Sequence, residues 1–232
     1  MPNVKESWRM FDQISSTYDK VNRILSLGMD QQWRRELFHF LPKKKNLQLL
    51  DLATGTGDQL FSLFETGAPI QAAVGIDLSA EMLQRAKEKV ASKPYAGKIE
   101  WRRADAEHLP FDANTFDTAT FSFGIRNVPH PLTALREIHR VLKSGGRVLI
   151  LEFSMPPQPV RPFYLGYLRH ILPRLGGYFS KAPFAYRYLN ETIEIFPSGK
   201  AFGALMEEAG FAPIAYRRMA LGAVTLYIGE KE

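Results

Sequence analysis

Apolar positions along the chain keep two rhythms, and the change between them divides it. Up to about residue 45 they recur at helical spacing: Trp8, Phe11 and Ile14, then Ile24 and Leu25, then Trp33, Leu37, Phe38 and Leu41. That spacing predicts short amphipathic helices, closed by Pro42 and the run Lys43–Lys45. From 46 to 155, short apolar runs alternate with helical segments. Strands are predicted running into Asp51 and at Ala72–Ile76, Ile99–Arg103, Thr118–Phe123 and Arg147–Phe153, the last fed by a turn at Ser144-Gly145-Gly146. Between them fall helices at Gln59–Phe64, Ala80–Val90 and Leu132–Leu142. A final helix, Gly199–Ala209, precedes two closing strands, Pro213–Met219 and Ala223–Gly229. Strand–helix alternation over 232 residues with 45% hydrophobic content predicts one α/β domain built on a seven-stranded, Rossmann-like sheet.

The segment 156–198 breaks the alternation. It concentrates prolines (156, 157, 159, 162, 173, 183 and 197) and aromatics, among them Phe163, Tyr164, Tyr167, Tyr178, Phe179, Phe184, Tyr186 and Tyr188. Two compatible readings follow: a helical insertion packed on the sheet, and a lid over an apolar substrate.

Chemistry concentrates in Leu49–Asp58, LLDLATGTGD. A strand enters a turn at Gly55 and Gly57 and leaves in a helix, the unit that holds nucleotides at the carboxyl edge of a parallel sheet. Alone the turn is weak evidence, since many merely connect strand to helix. Here Asp77 ends the second strand, where an acid suits ribose hydroxyls, and Asp105 follows the third. Each acid singly reads as a cap or turn residue; three at successive strand ends read as one edge. The third glycine of the dinucleotide fingerprint is replaced by Leu60, and no phosphate-binding G-x-x-x-x-G-K-[ST] loop occurs. Asp51 and Asp58 flank the turn, where a pyrophosphate would require donors and positive charge. Carboxylates suit a cationic ligand. S-adenosyl-L-methionine, with an ammonium, a sulfonium and a ribose but no phosphate, fits the pattern better than NAD.

Composition narrows the rest. The absence of cysteine removes disulfides, thiolate metal sites and thiol nucleophiles. The five histidines (39, 108, 130, 139, 170) show no metal spacing, so no metal is expected. No signal peptide or membrane span is read in the chain. The net charge of +6 gathers at Arg34-Arg35, Lys43–Lys45, Arg102-Arg103 and Arg217-Arg218. Each group reads as a solvated face; together they favour an anionic lipid surface. Nucleic acid is disfavoured: the segment after the fourth strand reads Phe123-Gly124-Ile125-Arg126-Asn127, not the N/D-P-P-Y/F of base amino-methylating enzymes.

Three motifs outside the glycine turn carry a resemblance. They are Tyr18-Asp19-x-x-Asn22-x-x-Leu25-Ser26 running to Trp33, Ser122–Val128, and Arg140-Val141-Leu142-Lys143-x-Gly145-Gly146 running through Glu152 to Ser154. With them the chain resembles the ubiquinone/menaquinone biosynthesis C-methyltransferases, within the class I S-adenosylmethionine-dependent superfamily, from about Phe11 to Gly229. It departs from the usual family pattern at Val21, Asp30 and Ser144, where Met, His and Pro are the rule. The resemblance implies that Thr56 contacts the methionyl part of the cofactor and that Asp77 binds the ribose. It places Asp105 and Ala106 at the adenine and Ser122 beneath the sulfonium, with Asp51, Gly55 and Gly57 shaping the floor.

The implied reaction is methyl transfer to a ring carbon of a prenylated quinol, foremost demethylmenaquinol, with the benzoquinol of ubiquinone synthesis as a second acceptor. Arg126 and Asn127, just after the fourth strand, are the candidate catalytic pair; a structural pairing of Arg126 with Asp117 or Glu152 is the competing reading. Residues 1–45 would cap the substrate, 46–155 hold the cofactor, 156–198 form the lid and 199–232 close the sheet. The expected location is cytoplasmic, peripheral on the inner face of the membrane, with a homodimer as a further option. The alternatives are a methyltransferase for another phenolic or sterol-like acceptor, and a non-catalytic organiser of a quinone-biosynthesis complex.

Overall fold

The computed structural model describes Val4 and residues 6–172, 174 and 183–232, with nothing described for the side chains of 183 and 186. Pro173, Tyr178 and Phe179 of the expected lid lie outside the described residues, as does the side chain of Tyr186.

Three short helices open the chain: α1 (Ser7–Ile14), α2 (Tyr18–Leu25) and α3 (Met29–Glu36). The sheet then builds through β1 (Leu47–Leu52), α4 (Asp58–Glu65), β2 (Ile70–Asp77), α5 (Ala80–Val90), β3 (Ile99–Arg103), β4 (Phe116–Ser122), α6 (Pro131–Val141) and β5 (Leu142–Phe153). An insertion follows: α7 (Arg161–Gly166), running into a π-helical turn at Tyr167–Ile171, and α8 (Pro183–Ile195). Helix α9 (Lys200–Glu208) and strands β6 (Ile214–Met219) and β7 (Val224–Glu230) close the fold.

Strand order is β3-β2-β1-β4-β5-β7-β6, parallel except for β7, which runs antiparallel to both β5 and β6. Helices cover both faces, so central strands are buried on both sides; all seven residues of β4 are buried, its Asp, Thr and Ser residues included. Alternation along β1 divides the core, Leu47 and Leu49 packing on one side, Leu50 and Leu52 on the other. A separate apolar cluster joins Val21 of α2 to Leu168, Leu172 and Ile193, so the first helices pack on the insertion.

The expected seven-stranded architecture is present, with one boundary corrected. Strand β5 begins at Leu142, and the expected turn at 144–146 is a bulge within it. The register jumps from Phe116↔Leu142 to Thr118↔Arg147. Gly145 takes φ +73, and a Cβ on Gly146 would lie 2.7 Å from the Lys143 carbonyl. Gly145 supplies the left-handed backbone and Gly146 the close approach that this bulge requires. Strand order reverses between β1 and β4, where a parallel sheet opens a crevice at its carboxyl edge.

Candidate active site

Four strand ends build the crevice. Past β1 the chain enters left-handed backbone at Ala53 (φ +45), Gly55 (φ +55) and Gly57 (φ +86). Among the described residues a Cβ on Gly55 would meet nothing within 4 Å, so this glycine fronts open space that a side chain would fill. Gly57 differs: a Cβ there would lie 2.5 Å from the Phe61 ring and 2.9 Å from Trp101. Gly57 therefore lies outside the cavity lining and serves the packing of α4 on β3.

Asp51 is buried and accepts hydrogen bonds from Thr54 Oγ1 (2.6 Å) and Thr120 Oγ1 (2.5 Å). Burial outweighs those hydroxyls and pushes its carboxyl up to about 6. Asp77 accepts from the backbone N–H groups of Gly55 (2.8 Å) and Ser79 (2.9 Å), and burial still raises its pKa. Asp105 accepts from the Glu107 N–H at 2.9 Å, closing the turn that presents Ala106. Ser122 ends β4 and donates to Gln59 Oε1 (2.8 Å), while Gln59 Nε2 donates to the Arg34 carbonyl (3.2 Å). That relay ties α3 to the sheet edge.

These groups line two connected spaces. One, of about 130 Å³, has Gly55, Asp77, Asp105, Ala106 and Ser122 in its wall together with apolar Leu78 and Met82. The other is a polar recess of about 20 Å³, lined by Asp30, Asp51, Thr56, Asp58 and Arg34, sharing Tyr18, Ala53, Gly55 and Ser122 with the first. Seven of the eight expected cofactor residues thus converge, Gly57 excepted. The open cradle at Gly55, apolar walls with an acidic rim, and an acid-rich recess at one end fit an adenosine joined to a cationic amino-acid tail. Not every acid is free. Burial would raise Asp58, but Lys89 (Nζ 2.5 Å away) and Arg34 outweigh it and hold the carboxyl below its usual range. Thr56 donates to Asp19 Oδ1 (2.6 Å) and accepts from Lys89 (3.1 Å).

A third space, apolar and about 350 Å³, lies between α1–α3, the insertion and the β6–β7 turn. Leu25, Trp33, Tyr164, Tyr167, Leu168 and Ile193 are among its walls. It shares Phe11, Tyr18 and Phe123 with the 130 Å³ cavity. Phe123 holds φ +58, uncommon for a bulky residue, and such strain clusters at functional sites.

The turn Ile125–Asn127 divides the two cavities: Arg126 lines the apolar one, Asn127 the other. Arg126 is buried and its Nη1 donates to Glu152 Oε1 and to the Phe123 carbonyl, both at 2.6 Å. Among the described residues its Nε is buried without a partner. Of the two acids weighed for Arg126, Glu152 is the partner; Asp117 is held by Lys44 (2.5 Å) and Lys143 (3.2 Å). Asn127 Oδ1 accepts from the Tyr188 hydroxyl at 3.1 Å.

Tyr18 and Arg34 escape the reading of the sequence as a site, and Asp30 is marked there only as a departure from the family pattern. Tyr18 lines all three spaces. Burial raises its hydroxyl pKa, against the pull of Arg34 and Arg126. Its spacing to Val21 and Leu25 on α2 is that of a core aromatic, so only its place in the Tyr18–Trp33 block marks it. Asp30 is buried at the junction of recess and apolar cavity, accepting from Ser26 Oγ (2.7 Å) beside Arg23 (3.5 Å). Arg34, expected on a solvated face with Arg35, instead faces the recess because α3 turns that side toward the sheet edge.

Sheet order, antiparallel β7 and the glycine turn together define a class I S-adenosylmethionine-dependent methyltransferase. A solved SAM-dependent methyltransferase from Thermotoga maritima superposes with a TM-score of 0.72 at 18% identity, over 97% of this chain and all (100%) of that one. The chain belongs to the ubiE/COQ5 methyltransferase family, which it matches over residues 3–231. It is 43% identical over 223 residues to the ubiquinone/menaquinone biosynthesis C-methyltransferase UbiE of Geobacter sulfurreducens, covering 96% of this chain and 87% of that protein. To the demethylmenaquinone methyltransferase of Lactiplantibacillus plantarum it is 39% identical over 225 residues, covering 96% and 94%.

Proposed function

We propose that the chain methylates a ring carbon of a prenylated quinol, with demethylmenaquinol the first acceptor and 2-polyprenyl-6-methoxy-1,4-benzoquinol the second. One observation carries this reading: the apolar 350 Å³ cavity meets the acid-rimmed cofactor cavity at Tyr18 and Phe123, with buried Arg126 in its wall. The functions named for the relatives from Geobacter and Lactiplantibacillus agree with it.

When bound, S-adenosylmethionine supplies an electrophilic methyl group. Asp77, Asp105 and Ala106 would hold the nucleoside; Thr56, Asp51 and Ser122 would hold the methionyl end, on the floor formed at Gly55. A quinol hydroxyl titrates at about 10, like tyrosine. Its ring carbon becomes a competent nucleophile when the oxygen carries negative charge. Arg126, fixed by Glu152, favours that phenolate by its charge; the hydroxyl proton passes to a single water held beside it, and once the ring carbon is methylated its displaced proton restores the hydroxyl. Tyr18, whose raised pKa keeps its hydroxyl protonated, donates to an oxygen of the ring. Asn127 orients the acceptor from the cofactor side. The apolar walls exclude water, which strengthens each of these electrostatic effects.

The first helices and the insertion together would form the substrate-facing cap of a single domain. Among the described residues no helix is long and apolar enough to cross a membrane. A polyprenyl substrate resides in the bilayer, so the chain would work at the membrane surface, on the cytoplasmic face, with the cavity mouth toward the lipid. Incubation with cofactor and each of demethylmenaquinol, the methoxy-benzoquinol and an unrelated catechol, read by mass spectrometry, tests the assignment. Methylation of the catechol alone would overturn it. Failure to bind S-adenosylhomocysteine would favour the non-catalytic organiser.

A further inference from the structure

Arg34 stands at a junction of three spaces. It lines the polar recess, the apolar cavity and an outer groove shared with Arg23 and Lys89. Among the described residues its guanidinium makes no ion pair and no hydrogen bond to protein, and its Nε is fully buried without an acceptor. The acids around it are matched elsewhere. Asp30 has Ser26 and Arg23, Asp58 has Lys89 and Arg23, and Asp51 has the two threonine hydroxyls. In the wall of the recess Arg34 is the one cation among the described residues. The guanidinium sits 5.2 Å from the centre of the strained Phe123 ring, and Gln59 anchors its backbone carbonyl. The group is held in place, desolvated in part, and short of an acceptor. Such a donor is costly unless a ligand completes it.

We infer that Arg34 binds the α-carboxylate of the cofactor's methionyl part, an inference that rests on the cofactor reading above. The recess beside Thr56 and Ser122 is the end of the crevice assigned to that part, and the ligand there carries both an ammonium and a carboxylate. Asp51, held by two hydroxyls and by no cation among the described residues, serves the ammonium. The carboxylate requires a cation, and a planar guanidinium offers it paired donors. Because Arg34 belongs to α3, the cofactor would be clasped between the sheet edge and the first helices, and its binding would order the wall of the acceptor cavity.

Calorimetry on the full chain tests this with two ligands. S-adenosylhomocysteine keeps the carboxylate; S-adenosyl-3-thiopropylamine keeps the ammonium and lacks it. Arg34→Gln should weaken the first by about 10- to 100-fold, the range for loss of a charge-assisted hydrogen bond, and leave the second within about twofold. Should Arg34→Gln fail to fold, Arg34→Lys is measured instead, and its smaller loss should again be confined to the carboxylate-bearing ligand. Equal losses for both ligands, or an unchanged S-adenosylhomocysteine affinity with a raised quinol KM, would overturn the inference. A wild-type protein that binds neither ligand overturns the cofactor reading itself, and this inference with it.

Discussion

Asp51 shows what burial does to one carboxyl. Its folded pKa of about 6 lies above the ordinary aspartate value, so between pH 4 and 6 the folded chain holds a proton that the unfolded chain has released. Stability therefore falls as pH rises through that window, by up to about 3 kcal/mol, and Asp51→Asn should remove the slope. The ammonium of the ligand's amino-acid tail prefers the ionised form. S-adenosylhomocysteine affinity should thus rise up to about tenfold per pH unit below 6 and level off above it, and Asp51→Asn should flatten that profile too. A wild-type affinity independent of pH from 5 to 7.5 would separate Asp51 from the ammonium. Arg126 poses the opposite problem, since structure and chemistry claim the same side chain. Arg126→Ala strands Glu152 in the core and should destabilise by about 3–5 kcal/mol. Arg126→Lys keeps the charge and loses the fork. Its turnover should fall sharply at neutral pH and recover in part toward pH 10, where the quinol ionises unaided, with cofactor affinity unchanged. A wild-type pH–rate profile would leave Arg126 as the partner of Glu152 and nothing more.

Among the elements, the turn between β1 and α4 separates two uses of glycine. Gly55→Ala puts a methyl into open cavity, so it should weaken cofactor binding while lowering stability by only about 1–2 kcal/mol, the strain of a left-handed alanine. Gly57→Ala adds to that strain an overlap with Phe61 and Trp101, so thermal unfolding should show the larger loss; equal melting temperatures would contradict the division. Much of this edge is legible in sequence because short apolar stretches mark the strands, with Asp51 and Asp77 at the ends of β1 and β2 and Asp105 just past β3. The bulge at Gly145 is not legible, since two glycines suit a turn as well as a bulge, and only pairing with β4 and contact with Lys231 choose between them. Nor is charge pairing: Lys89 reaches Asp58 and Lys44 reaches Asp117 across long stretches of chain, and no local pattern records which acids stay free. Arg34 beside Arg35 looks like a surface pair, and Tyr18 like a core aromatic, until α2 and α3 are set against the sheet.

For the molecule as a whole, the mouth of the apolar cavity is where fold, substrate and membrane would meet. Leu27 of the α2–α3 connection and Met29 at the start of α3 line it, and Leu221 lies in the β6–β7 turn beside the lining residue Ala220. Leu27 is 84% exposed and Leu221 is 78% exposed. Both hold left-handed backbone, φ 52 and 56, which leucine adopts at a cost. Exposure and strain together argue that these leucines serve something outside the isolated chain. A bilayer fits, because a prenyl chain gains about 0.8 kcal/mol per buried CH₂ and must pass from lipid to cavity without crossing water. Asparagine tolerates left-handed backbone and is polar, so Leu27→Asn with Leu221→Asn should fold at least as stably as the parent. Each leucine inserted into lipid is worth about 1.5–3 kcal/mol. The double variant should therefore lose about tenfold or more of its flotation with anionic liposomes, and its turnover on vesicle-embedded long-chain quinol should fall with it. Single Leu221→Asn, outside the cavity lining, should retain turnover on a short-chain quinol in solution. The basic clusters would add a salt-sensitive part, screened within about 10 Å at 0.1 M salt. Flotation that disappears with salt yet is unchanged in the double variant would assign docking to charge alone; flotation lost only in the double variant at high salt would place the leucines in the lipid.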